Sequence, residues 1–284
     1  MNTYDQIVKK QIEWAKNRGL ELIGSEIDRG RKSYTKELVN NIFRKKLSDE
    51  TEKEIKNGDG GELNGNPARM QALHSSSAIG VNVFEYWRFQ NNLAPILDAC
   101  KLTQSNSKIA GEINFEAKLT IKKQFNKAPN LDVIIKPNSH SYKAYAIECK
   151  FTEPFSTYEH SGVKEVYFED EDIWSNLNQI KKLADKISPN DKEFHHLHAA
   201  QLIKHILGLN QQYGHGKYRL LYLWYDVYGE DGCNHRKEIE KFKEIVDQDG
   251  IKFSSITYQE LILKLAEHRN EHPEYISYLT ERYL

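Results

Sequence analysis

Three charged residues sit inside otherwise apolar runs: Asp132 in "PNLDVIIK", and Glu148 and Lys150 in "AYAIECKF". An acid in a buried strand is costly unless a partner or a metal ion compensates it. Side chains alternate across a strand. Glu148 and Lys150 therefore share a face with Ala144 and Ala146, while Ile147, Cys149 and Phe151 turn toward apolar packing. The polar loop "PNSHS" reads as the turn of a hairpin, which would bring Asp132 close to Glu148. Two carboxylates so placed repel unless one is protonated or a cation lies between them. Hard oxygen ligands suit Mg²⁺ or Mn²⁺. A lysine in the same cluster can orient a water or stabilise negative charge developing on a phosphate. Acid, acid and lysine around a divalent ion form a kit for phosphodiester hydrolysis. The plainer alternative is a surface ion pair on an exposed sheet, which would suit polar flanks better than the apolar ones present.

The elements around these residues follow from periodicity. "INFEAKLTI", residues 113–121, alternates with period two and predicts a half-exposed strand with Glu116 and Lys118 on its polar side. "LDVIIK" and "YKAYAIECKF" predict two more strands. "YRLLYLWYDVYG" is apolar on both faces and predicts an interior strand. Before the first strand, "ARMQALHSSSAIGVNVFEYWRF" reads as one helix, with Leu73, Ser77, Gly80, Phe84 and Trp87 on a single stripe. Its small residues would let it lie close to a sheet. Helices are also predicted near "SNLNQIKKLADKI" and over "EFHHLHAAQLIKHILGLNQQ". The middle of the chain thus runs helix, three strands, helix, strand, an α/β arrangement with a mixed sheet flanked by helices. The first segment, with Tyr4 to Arg18 and Ser33 to Ile55 in charged helical patterns, and the last, from about Arg236, read as helical additions. The cluster "NGDGGELNGNP" marks the best boundary, giving 1–60 as a helical region, 61–228 as the core and 229–284 as a second helical region.

Composition narrows the setting. The 284 residues carry a net charge of -1, which argues against a polybasic nucleic-acid binder but leaves room for a locally basic cleft. No apolar window is long enough to span a membrane, and the polar start is not a secretory signal. The 3 cysteines are far apart with no CxxC pair, so neither a disulfide framework nor a cysteine-rich zinc site is expected. A reducing, cytoplasmic setting is the simplest reading.

At this point the chain resembles a known group. "PNLD" followed by "ECK" looks like the PD-(D/E)XK nuclease motif, and the order of elements is similar to that superfamily's core. "HSSSAIGVNVF", "FEAKL", "IECKFTEPF" and "QLIKHILGL" together resemble bacterial type II-like restriction endonucleases within it, over roughly residues 60–228. Asn130-Leu131-Asp132 departs from a bare Pro-Asp. The resemblance implies an Mg²⁺-dependent DNA endonuclease (Mn²⁺ as a substitute) in which Asp132, Glu148 and the Cys149 backbone carbonyl bind metal and Lys150 positions or activates the attacking water. It further implies an added acid, for which Glu116 is preferred over Glu85, read as a solvated helix residue, and over Glu62 in the glycine loop. From the later helix it implies a glutamine, for which Gln201 is preferred; His205, four residues on, shares its face, whereas Gln179 sits among charges and reads as surface. Double-stranded DNA is the expected partner, and a palindromic cutter would act as a homodimer. Other jobs within the superfamily, in repair, recombination or phage biology, and a non-catalytic nucleic-acid-binding module are the alternatives.

Several other groups have plainer readings. His195, His196, His198 and His205 match no zinc spacing and read as a helix start with solvent-facing histidines. Cys149 reads as a buried structural thiol rather than a nucleophile. The run Glu169 to Asp172 reads as the negative start of a helix. Arg29, Arg31, Lys32 and Lys36 are candidate phosphate contacts diluted by nearby acids.

Overall fold

The computed structural model describes residues 2–284 apart from Ile27, Arg29, Ser105, Asn106, Lys123, Gln124, Asn126 and Lys127. The candidate phosphate contact Arg29 therefore lies outside the described residues. In chain order the elements begin with α1 (Thr3–Asn17), β1 (Leu22–Gly24), β2 (Lys32–Thr35), α2 (Asp49–Asn57), α3 (Ser76–Arg88) and α4 (Ala94–Ala99). The central strands are β3 (Gly111–Lys118), β4 (Asn130–Pro137) and β5 (Ala144–Lys150), followed by α5 (Asn178–Ile187), α6 (Ala199–Tyr213) and β6 (Tyr218–Trp224). The chain closes with α7 (Glu230–Gln248), β7 (Phe253–Thr257), α8 (Tyr258–Leu265) and α9 (Pro273–Tyr283).

Among the described residues the main sheet has five strands in the order β3-β4-β5-β6-β7. The first three are antiparallel neighbours joined by short links, and β5, β6 and β7 run parallel. Parallel neighbours require crossovers, here α5 with α6 and then α7. The result is a mixed sheet flanked by helices. β5 and β6 are buried on both faces, as their unbroken apolar character predicts.

Two helices fix the surroundings of β5. α3 packs on one face, where a Cβ on Gly80 would stand only 3.5 Å from Cys149 Sγ; the small residue on the stripe does what the sequence predicted. α6 covers the other face, and Gly208 approaches Leu119 at the end of β3 so closely that a Cβ there would lie 2.5 Å from the Leu119 Cβ.

The structure corrects several expectations. The helix predicted from residue 68 begins only at Ser76, because Ser75 accepts the Ala78 N–H as a cap and the preceding residues form a short turn held by Asn41, which donates to the Met70 and Ala72 carbonyls. The stretch Ser33 to Ile55 is not continuously helical: Ser33 to Thr35 belong to the β1–β2 hairpin, and a helix forms only after the Ser48 cap. The segment 229–284 is not wholly helical either, since β7 adds a strand beside β6. Glu85 is not solvated; it is buried and accepts the Ser48 N–H at 2.8 Å, because α3 is covered on nearly every side. Gln179 is partly buried at the start of α5. Glu171 and Asp172 open a short 3₁₀ turn rather than an α-helix. Arg31 pairs with Asp5 and Lys36 with Glu21. No helix among the described residues is long and apolar enough to cross a membrane.

The segments at either end are tied together by a buried polar network. Arg282 of α9, 1% exposed, donates to the Asn41 carbonyl, to the Asn41 side chain, to Tyr278 Oη and to Gln11 Oε1 of α1. Asn82 of α3 donates to the same Asn41 carbonyl and to Tyr283 Oη.

Candidate active site

The β4–β5 ladder pairs Val133 with Ile147, and beyond that pair the strands part. The register carried on puts Asp132 across from Glu148, and the β3–β4 pairs on either side put Glu116 across from Asp132. On the far side Glu148 pairs with Tyr222 of β6. Three carboxylates therefore stand in a row across three adjacent strands. Where the ladder opens, Asp132 Oδ2 accepts the Cys149 N–H at 2.7 Å, so a side chain replaces a backbone carbonyl. Glu116 sits at a break in the β3 ladder with φ +47°, a backbone conformation that costs a non-glycine residue about 1–3 kcal/mol and collects at functional sites.

Glu148 is inaccessible to solvent and is held from two sides. Lys150 Nζ lies 2.6 Å from Oε1, and His205 Nε2 of α6 lies 2.9 Å from Oε2. Each carboxylate oxygen thus faces one donor, Lys150 on Oε1 and His205 on Oε2. Burial opposes the charge on Glu148, but Lys150 and then His205 outweigh it and hold its carboxyl down to about 2. Lys150 also donates to Gln201 Oε1 at 3.0 Å. Burial opposes its charge too, but Glu148, Asp132 and Glu153 push the ammonium well above the ordinary lysine value. The other two acids move the opposite way. Burial and then the Glu148 charge raise Asp132 well above the usual carboxylate range. Burial, then Glu62 and Glu148, push Glu116 up to about 7.

The sequence-predicted residues Asp132, Glu148, Lys150, Glu116 and Gln201 thus share one end of the sheet. Cys149 is a buried thiol against α3, as expected, and burial pushes it up. His205 corrects the solvent-facing reading: α6 buries it against Glu148. The signal was present, because His198, Gln201 and His205 fall at helical spacing on one face of an apolar helix. Glu62 lies within reach of Glu116. The glycine-rich loop folds back over the site, so that a Cβ on Gly58 would meet Glu116 Oε2 at 2.9 Å, while Glu62 bonds Ser77 and acts on Glu116. Contacts so distant in sequence leave no local periodicity.

The donor set suits a hard divalent cation. The Asp132 and Glu116 carboxyls, driven upward by burial and by neighbouring acids, are both relieved by one positive charge placed among them. Among the described residues no three His, Cys, Asp or Glu side chains stand grouped so as to hold an ion by themselves. Partial protein ligation is compatible with Mg²⁺, which keeps several of its waters.

A five-stranded mixed sheet flanked by helices, with acids and a lysine gathered where its central strands part, is consistent with a restriction-endonuclease-like fold. The family model described as "Restriction Endonuclease associating with ARP" matches residues 9–284, and the chain belongs to this family. Membership points to a nuclease, a phosphodiester hydrolase, and the match runs through both terminal segments. No curated protein and no solved structure matches the chain significantly.

Proposed function

We propose that the chain is an Mg²⁺-dependent DNA endonuclease of the PD-(D/E)XK type, acting as a type II-like restriction enzyme on double-stranded DNA, as a homodimer in the cytoplasm. The observation that carries this reading is the meeting of Asp132, Glu148 and Lys150 at the opening of the β4–β5 ladder, with Gln201 holding the lysine from α6.

In this reading Asp132, Glu148, Glu116 and the Cys149 carbonyl would hold Mg²⁺, which supplies Lewis-acid polarisation of the phosphate and a more acidic bound water. The protein's own groups do the rest. Lys150 stays protonated, because its carboxylate neighbours favour the ammonium. It therefore serves as a fixed donor that orients the attacking water and stabilises charge on the phosphate, not as a base. Glu148 and Gln201 fix its direction, and His205 fixes Glu148.

The test is incubation of the purified protein with plasmid and genomic DNA, with and without Mg²⁺, beside Asp132→Ala and Lys150→Ala. Discrete fragments that require Mg²⁺ and fall about 10²-fold or more in both variants are expected. Smeared or end-dependent loss would replace the restriction reading with a structure-directed nuclease. Equal behaviour of wild type and variants removes the catalytic assignment.

A further inference from the structure

Beyond the C-terminal end of β5, two loops zip together to form a second cavity. The Asp191 N–H donates to the His160 carbonyl at 3.0 Å and the Gly162 N–H to the Pro189 carbonyl at 2.7 Å, with a bridge between Ser161 and Asn190. The cavity between them measures ≈ 150 Å³, and its walls include Ser156, Tyr158, His160, Asp191, Phe194 and His195. A cavity of about this size takes one benzene-sized ring.

Its polar atoms lack partners. Asp191 is 4% exposed; its Oδ1 accepts the Glu193 and Phe194 N–H groups, and its Oδ2 accepts nothing. His160 bonds the His195 backbone, while its buried Nε2 has no partner. Burial lowers the His160 pKa and favours the neutral ring, whose free nitrogen is then an acceptor. Two unmet acceptors on a ring-sized cavity call for a flat ligand with a donor edge. Tyr158, 81% exposed, stands at the wall as a stacking surface.

The cavity adjoins the catalytic groups. The His160 ring stacks on His198 with centroids 4.7 Å apart and planes 13° from parallel. His198 caps α6 one turn ahead of Gln201, which holds Lys150. The Lys150 charge acts on both histidines.

We infer that this cavity is a nucleobase subsite that takes a single cytosine out of the stack, its exocyclic amine donating to Asp191 Oδ2 and its ring lying against Tyr158. Carboxylates accept from the cytosine amine, unstacked bases lie on aromatic side chains, and a volume of ≈ 150 Å³ suits a pyrimidine better than a larger purine. Thymine fits by size and lacks the amine. The inference rests on the reading of DNA as substrate and adds a base preference to it.

The experiment measures binding of fluorescent single-stranded oligothymidylates, with and without one central cytosine or adenine, to the full chain in chelator. The cytosine probe is expected to bind about tenfold or more tighter than the all-thymine probe and tighter than the adenine probe. Asp191→Asn should abolish that preference. Equal affinities in wild type, an adenine preference, or a cytosine preference that survives Asp191→Asn overturns the inference. If Asp191→Asn does not fold, Tyr158→Ala decides: its side chain is exposed, and an unchanged affinity for the cytosine probe there also overturns it. The plasmid assay separates the two readings. Cleavage lost in Lys150→Ala with no cytosine preference removes the subsite alone, and a cytosine preference in a protein that cuts no DNA removes the nuclease reading alone.

Discussion

The imidazole of His205 reaches Glu148 with Nε2 2.9 Å from Oε2, and both side chains are almost wholly shut off from solvent. With Lys150 on Oε1, the carboxylate is pinned in one orientation by two different elements. His205 is thus a positioning residue. His205→Phe should lower kcat about tenfold with little change in KM, because the carboxylate loses its direction while the DNA-facing groups remain. His205→Asn, which can offer a donor, should recover part of the loss. An equal loss in both variants, or a change confined to KM, would contradict the positioning role.

Lys150 and Glu148 test catalysis and stability separately. Lys150→Met should abolish cleavage and destabilise the fold by about 3–5 kcal/mol, because it strands a buried charge. Adding Glu148→Gln should restore much of that stability without restoring cleavage. Urea unfolding of the single and double variants checks this, and purely additive losses would show that the pair is not coupled.

Glu116 gives a pH dependence of defined sign. Its folded-state carboxyl holds a proton up to about 7, against 4.5 ordinarily. The folded chain binds that proton more tightly than the unfolded one, so the contribution is full below the unfolded value and is lost as pH rises through about 7. In chelator, wild type should lose stability across this window, on the order of 3 kcal/mol for a shift of this size, and Glu116→Gln should lose clearly less, keeping only what the other raised carboxyls contribute. Added Mg²⁺ should raise the thermal midpoint of wild type at pH 8 more than that of Glu116→Gln. Matching pH profiles in thermal melts would refute the assignment.

Arg282 serves architecture, not chemistry. Arg282→Met removes donors to Asn41, Tyr278 and Gln11 and leaves the Asn41 side-chain oxygen and Gln11 Oε1 without them, while Asn82 still serves the Asn41 carbonyl. A loss of about 3–5 kcal/mol is expected, read by thermal unfolding. A loss under about 1 kcal/mol would show that the network is not cooperative.

The strands were legible because β3 alternates with period two, and the apolar runs of β4, β5 and β6 are short and rich in β-branched or aromatic residues. The charges of Asp132, Glu148 and Lys150 stood out against those patterns for the same reason. Glu85 and His205 misled because each is polar within a helix, and only tertiary cover decides whether such a residue meets water or a buried partner. The short β7 was hidden by its sequence, "FSSIT", whose two serines blunt the apolar signal that pairing with β6 supplies in the fold. The glycine loop reads as a boundary by composition, and only the close approach of Gly58 to Glu116 makes it part of the site.

The network around Arg282 also bears on synthesis. α3, which backs the catalytic strand, receives Tyr275, Tyr283 and Arg282-bound Asn41 as partners for Trp87 and Asn82. A nascent chain still on the ribosome lacks these partners until α9 has emerged, so the helix behind the site stays unlocked while Asp132, Glu148 and Lys150 are already outside. A chain stopped before Pro273 should accordingly melt at lower temperature and cut DNA poorly. The wall behind Asp132, Glu148 and Lys150 is thus completed only once α9 has docked.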